Sequence, residues 1–349
     1  MNFASDNTSG ASPEIIAAVS AANTGAAMPY GADDITARVA QRLNEVFETQ
    51  AVSYPVATGT AANSLALAAG TPPWGAVYCH GDSHINRDEC GAPELFTGGA
   101  KLVPLEGDDG KVTPAVLEAA LAGAKPGFVH QVQPAMLSLT NATEAGTVYT
   151  PDEVAELAGI AHAHGLKVHM DGARFANAAA SLGCTPAELT WKAGVDVLAF
   201  GATKNGALAA EAVVFFDREL AENVGYRRKR AGHLFSKMRF LSAQLEAYLS
   251  DGLWLANASH ANAMAARLAA GLSHVPGCRL VHPVQANELF VEMPAATADA
   301  LSDGGCVFYR WKPGDPVSTR FVTSFNSDPA DVDRAVKLAR SAAGQSAAE

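Results

Sequence analysis

Between about residues 50 and 216, short apolar runs alternate with amphipathic stretches, and few architectures accept that alternation. AVSYPVAT, AVYCH, KLVPL, GFVHQV, LKVHM, VDVLAF and AVVFF read as strands. Between several of them lie TAANSLALAA, PAVLEAALA and PDEVAELAGIAHAHG, which read as helices. Strand–helix alternation predicts an α/β fold with parallel strands joined by right-handed crossovers. Ahead of it, PEIIAAVSAAN and DDITARVAQRLNEVFE read as two helices, the second capped near Asp33 or Asp34.

From about Arg218 to Leu272 the pattern is helical. After Pro276 it is mixed, with CRLVH, NELFVEM, CVFYRW and STRFVTSF as strands and ATADALSD and PADVDRAVKLARSA as helices. The domain boundary falls near residue 250, giving a large sheet domain over 1–250 and a small α+β domain over 251–349. The tail SAAGQSAAE is expected to fray.

Composition narrows the class of function. A net charge of −11 argues against general nucleic-acid binding. No apolar run approaches the roughly 18 residues that a membrane span needs. The opening MNFASDNTSG has neither a basic nor an apolar segment, so no secretory leader is expected. Five scattered cysteines without a CxxC pair argue against a disulfide framework and against a metal site, and fit reduced, buried thiols in a cytoplasm.

The chemistry concentrates at strand ends. VDVLAFGATKNG carries Lys204 just beyond one strand, and LKVHMDGAR ends another on Asp171. The carboxyl edge of a parallel sheet is where such folds bind ligands. A lysine there offers an amine for a Schiff base, and an aspartate can hold a pyridinium nitrogen protonated, as pyridoxal phosphate (PLP) requires. Each residue also has a plain reading: a solvated lysine, and an aspartate that caps a helix.

Thr58, Gly59 and Thr60 open a helix after a strand and suit a phosphate, or simple capping. His84, in GDSHINRDECGAP, fits a ring laid on a flat cofactor or an ordinary loop histidine, and Glu89 fits its orienting partner or a cap. Arg174 suits a carboxylate or a surface pair. Arg320, in STRFVTSF, suits a substrate carboxylate or a buried ion pair. The basic run Tyr226–Arg230 reads as a solvated face, or as part of a neighbouring subunit's phosphate site.

The chain resembles the L-threonine aldolase family of fold-type-I PLP enzymes. The resemblance rests on FASDNTSG, PYGADD, ATGTAANSLAL, SHINRDECGAPE, VHMDGARFANA, SLGCTPAELTWKAGVDVLAFGATKNG and RRKRAGHLFSKMRFLSA, with ANELFV and STRFVTSF in the C-terminal part. It is nearest the branch of phenylserine and low-specificity aldolases. It implies a mostly parallel seven-stranded sheet with a smaller α+β domain, PLP as cofactor, and an amino-acid substrate. It further implies a homodimer or homotetramer with shared sites.

By the same resemblance Lys204 carries PLP, Asp171 meets the pyridine nitrogen, Gly59 and Thr60 hold the phosphate, and His84 stacks on the ring. Arg174 and Arg320 take the substrate carboxylate, aided by Ser5, and Tyr30 lines the site of a neighbouring subunit. The expected reaction is cleavage of an L-β-hydroxy-α-amino acid to glycine and an aldehyde, with His84 as base, directly or through a water. An aminotransferase, a β-eliminating lyase and a non-enzymatic phosphate-ligand-binding protein are the alternatives. Many family members have a second active-site histidine in the segment matching 141–146, where this chain has none, and neither His130 nor Glu144 takes that role from sequence.

Overall fold

The computed structural model describes residues 1–346, with side chains to Gly344. Seven strands form the main sheet: β1 (Val52–Val56), β2 (Gly75–His80), β3 (Lys101–Leu105), β4 (Gln133–Thr140), β5 (Lys167–Gly172), β6 (Val197–Gly201) and β7 (Glu211–Phe215). Their order is β1-β7-β6-β5-β4-β2-β3. All neighbours are parallel except β7, which runs against both β1 and β6. The reversed strand therefore brings its first residue, Glu211, level with Val56 and Gly201 at the edge where the other strands end.

The crossover helices cover both faces. Val39, Leu43, Leu117, Leu157 and Phe175 pack on one, and Leu65, Ala66, Ile85 and Val224 on the other. Sheets buried on both faces need near-continuous apolar strands, and β2, β6 and β7 are buried at every residue. Helix starts follow their capping residues. Asp33 accepts Thr36 N–H at 2.9 Å at the head of Asp34–Val46, and Thr150 and Glu153 form a capping box before Pro151–Ala163.

One predicted strand is misplaced. GFVHQV lies outside the sheet, with Val129 91% exposed, and β4 begins only at Gln133. Gly127 takes a positive φ of 77°, and Gln133 Oε1 accepts its N–H at 2.7 Å. The apolar residues before Gln133 thus belong to a turn, whereas Met136–Leu139 fill the core. The tail also differs: its helix runs from Pro329 through Ser346, and 347–349 lie outside the described residues.

The second sheet is antiparallel: β8 (Arg279–Leu280), β9 (Glu288–Met293), β10 (Tyr309–Lys312) and β11 (Val317–Val322), in the order β10-β11-β9-β8. Its core takes in Phe3, whose N–H donates to Val307 O at 2.8 Å. The helix Leu253–Leu272 serves both cores, with Trp254 and Ala258 in the large one and Met264, Ala265 and Leu268 in the small one. No helix among the described residues is long and apolar enough to cross a membrane.

The loop after β4 ties the two sheets together. Gly146 O accepts the N–H groups of Gln285 and Ala286, and Val148 N donates to Gln285 Oε1. Gly146 has φ +78°, and a Cβ there would stand 2.3 Å from Glu288 O. Gly146→Ala is therefore expected to destabilise the protein by about 3 kcal/mol, through strain and displacement of Glu288. Urea unfolding measures it, and a loss below about 1 kcal/mol would show that this junction yields freely.

Candidate active site

A cavity of ≈ 370 Å³ opens where β1, β4, β5 and β6 end, in the size range of small-ligand sites. Thr58, Gly59, Thr60, His84, Asp171, Arg174 and Lys204 all line it. Lys204 lies on the short turn Thr203–Asn205 that follows β6. Among the described residues no carboxylate oxygen forms an ion pair with its amine.

Asp171 is 3% exposed at the end of β5. Its Oδ1 accepts Ala173 N–H at 2.9 Å and its Oδ2 accepts Asn63 Nδ2 at 2.8 Å. Asn63, from the helix Gly59–Gly70, also donates to Glu89 Oε1 at 2.8 Å. That same oxygen lies 2.9 Å from His84 Nδ1. A hydrogen-bonded chain thus runs from buried Asp171 through Asn63 and Glu89 to half-buried His84, and Glu89 orients His84, one of the two readings the sequence left open. The Glu89 hydrogen bond raises the His84 pKa above its usual value, against the opposing effect of burial.

Thr58 caps its helix, accepting Ala61 N–H at 3.2 Å. A Cβ built on Gly59 meets nothing within 4 Å, so the backbone beside it is open to a ligand. Behind this turn the basic run of the helix Val224–Arg230 is a solvated face except at Arg228, with Tyr226, Lys229 and Arg230 exposed. Arg228 is only 5% exposed, and its Nη2 donates to Pro55 O at 2.5 Å, bracing the end of β1.

The arginines are already paired. Arg174 grips Asp6 with two hydrogen bonds, Nε to Oδ2 at 2.7 Å and Nη2 to Oδ1 at 3.1 Å, and Nη1 lies 3.4 Å from Glu288. Arg320 Nε lies 2.9 Å from the other Glu288 oxygen, with the guanidinium 5.6 Å from the Tyr309 ring centroid and 5.2 Å from that of Trp311. Glu288 therefore links the two arginines, and Arg320 is ion-paired to it. Arg174 lines the cavity, and Arg320 is not among its lining residues.

The chain was compared with known proteins. The family model described as beta-eliminating lyase matches residues 2–296. A low specificity L-threonine aldolase from a Pseudomonas sp. (strain NCIMB 10558) is 46% identical over 331 residues, 95% of this chain and 94% of that protein. The chain belongs to the L-threonine aldolase family, within the beta-eliminating lyases.

The solved structure of Leishmania major threonine aldolase superimposes with a TM-score of 0.92 at 30% identity, covering 98% of this chain and 99% of that one. An aspartate aminotransferase from Rhodobacter sphaeroides matches at TM-score 0.70 and 20% identity, over 99% of this chain and 91% of that one, which bears on fold alone. The fold of this aldolase-family chain is that of the fold-type-I PLP enzymes, as the resemblance implied.

Besides Arg320, Ser5 lies outside the cavity in this family member, and Tyr30 was expected to serve a neighbouring subunit's site. Ser5 Oγ accepts Asn7 N–H at 3.2 Å, and it is Asn7 that reaches the cavity. Tyr30 is 50% exposed, under the Lys229 amine at 5.0 Å from its ring centroid, away from this chain's own site. The thiols differ from expectation too. All five are unpaired, but only Cys79 and Cys306 are buried, and Cys90 is exposed.

Three carboxyls at the site carried no assigned role in sequence. Asp6 is hidden in an ordinary capping segment. Glu211 lines the cavity because β7 is reversed; its Oε2 accepts Ala202 N–H at 2.8 Å, and burial pushes its pKa to about 7. Glu144 lines the cavity as well, whereas His130 is exposed on the turn before β4. The signal for Glu144 was its place four residues beyond a strand end, masked by the displaced strand assignment.

Proposed function

We propose that the protein is a PLP-dependent aldolase that cleaves L-β-hydroxy-α-amino acids, reversibly, to glycine and an aldehyde. The observation that carries this reading is the opening of Lys204 and the Asp171–Asn63–Glu89–His84 chain onto one cavity. The residues fit the cofactor. The open backbone at Gly59 and the helix N-terminus at Thr58–Thr60 suit its phosphate, and Asn63 Oδ1 is buried without a hydrogen-bond partner. When bound, PLP supplies the electron sink for the pair released at Cα.

The chain's own groups do the rest. Lys204 would supply the amine that anchors the cofactor. Asp171, fixed by two donors, would be the acid that holds the pyridine nitrogen protonated. The His84 ring, held by Glu89, would lie against the cofactor ring. Arg174, which lines the cavity, would meet the α-carboxylate and orient the scissile bond, with Arg320 linked to it through Glu288. Exposed Tyr30 and its basic helix suit a second subunit, and we infer a homodimer or homotetramer with shared sites. Unpaired thiols throughout fit a reducing cytoplasm.

A purified protein of this kind is expected to be yellow, and borohydride should attach the cofactor permanently to Lys204. Threonine, allo-threonine and phenylserine should each release an aldehyde and glycine. Keto acid with ammonia would point instead to an aminotransferase or β-eliminating lyase. A protein that gains no visible absorption with added PLP would refute the reading altogether.

A further inference from the structure

A second carboxyl group faces the cavity from the loop after β4. Thr140, the last residue of β4, pairs with Asp171 in the sheet, so Glu144 projects beside the end of β5. The loop holds it firmly: Asn141 bonds Tyr149 through both its amide atoms, the Thr143 and Thr147 hydroxyls meet at 2.8 Å, and Gly146 is tied to β9's approach. Glu144 Oε1 accepts two neutral donors, His84 N–H at 2.7 Å and Thr140 Oγ1 at 3.0 Å. Its Oε2 is buried without a partner.

Resting on the aldolase reading, we propose that Glu144 is the catalytic group that takes the proton of the substrate's β-hydroxyl as the Cα–Cβ bond breaks, and returns it when the bond forms. The O–H electron pair becomes the second C–O bond of the aldehyde. The Cα–Cβ pair stays with Cα, and the proton goes to Glu144 Oε2. A proton supplied to Cα from Lys204, which regains one from solvent, completes glycine, and Glu144 releases its own to solvent, so the enzyme is unchanged.

The other candidates are committed elsewhere. Glu89 Oε1 is held by Asn63 and His84, making Glu89 the partner of a raised-pKa imidazole. Glu211 sits on the Lys204 side; burial raises its carboxyl to about 7 despite that lysine, but its Oε2 is taken up by Ala202 N–H at 2.8 Å. His84 has Nδ1 tied to Glu89, and a ring laid flat on a cofactor presents its nitrogens edge-on.

Around Glu144 stand Asp171 and Arg174 from the end of β5, Cys79 from β2, Tyr149 from beyond the loop, and His84. Burial, reinforced by Asp171, pushes the Glu144 carboxyl up to about 7. A base poised there serves proton transfer at neutral pH well.

The test compares wild-type holoenzyme with E144Q, which keeps an oxygen for His84 N–H and Thr140. Cleavage of threonine or phenylserine should fall by roughly 10²–10⁴-fold in kcat. The cofactor's visible band and exchange of glycine's α-proton with D₂O should persist, because neither needs a β-hydroxyl base. In cofactor-free protein, the infrared difference between wild type and E144Q should show one carboxyl titrating near neutrality. T140V, which removes a donor to the carboxylate, should move the acidic limb of kcat to higher pH.

Cleavage retained in E144Q, a flat infrared difference, or cleavage and exchange lost together would each overturn the proposal. If E144Q does not fold, an unshifted limb in T140V overturns it. A wild type that releases no aldehyde overturns the aldolase reading and this one with it, whereas an active wild type with an active E144Q overturns this one alone.

Discussion

Lys204→Ala is expected to lower aldehyde release on the order of 10³-fold or more, because the variant loses both the anchoring amine and a proton carrier at Cα. The fold should tolerate it. Lys204 lies on a short turn after β6, and the neighbouring Asn205 carries the packing there through hydrogen bonds from Nδ2 to Tyr248 and Trp254. The decisive measurement is peptide mapping after borohydride reduction with PLP. Wild type should carry the modification on the peptide containing Lys204, and the variant nowhere. A variant that keeps full turnover, or that is modified at another lysine in the site, would show that the anchor lies elsewhere.

Arg174→Leu should have the largest effect on stability, about 3–5 kcal/mol, because it strands two buried acids. The Asp6 side chain is 0% exposed and that of Glu288 3%. Burial raises the Asp6 pKa, but the charges of Arg174 and Lys204, with hydrogen bonds from Arg174 and Asn287, bring it below its usual value overall. A carboxyl depressed in the folded state contributes stability above its unfolded pKa of about 4, and loses it as pH falls through the folded value. Without Arg174, burial prevails and the sign reverses: the Asp6 carboxylate then destabilises increasingly as pH rises. Urea unfolding of cofactor-free protein should show a smaller deficit at pH near 5 than near 7. A loss below about 1 kcal/mol, or one that ignores pH, would mean that water compensates the acids.

What the sequence made legible follows from where residues sit along strands. Lys204, Asp171 and Thr58–Thr60 each follow an apolar run, and in a parallel sheet the ends of such runs share one edge. That alone places them together, whatever the side chains do. Glu211 escaped this logic because it begins its strand. Its place at the edge depends on β7 running backwards, and an apolar run of five residues carries no mark of direction. Asn63 reads as one more residue on a small-residue helix, and only the packing of that helix brings its amide between Asp171 and Glu89. GFVHQV has the apolar content of a strand, but Gly127 turns the chain, and the neighbouring run made the better core. The ladder Asp6–Arg174–Glu288–Arg320 joins four distant segments, and distance along a chain is what local patterns do not encode.

That ladder also sets an order of events. Asp6 and Phe3 find their partners, Arg174, Asn287 and Val307, up to about three hundred residues further along. Loop closure over such a span is slow and comes after local structure has formed. During synthesis the main sheet can assemble while the segment around Asp6 remains without its small-domain partners. Arg174 then waits, charged, at the rim of a cavity that is otherwise complete. The aldolase site is therefore expected to be among the last features of this protein to mature, its closure waiting until the segment around Asp6 meets Asn287 and Glu288 meets Arg174.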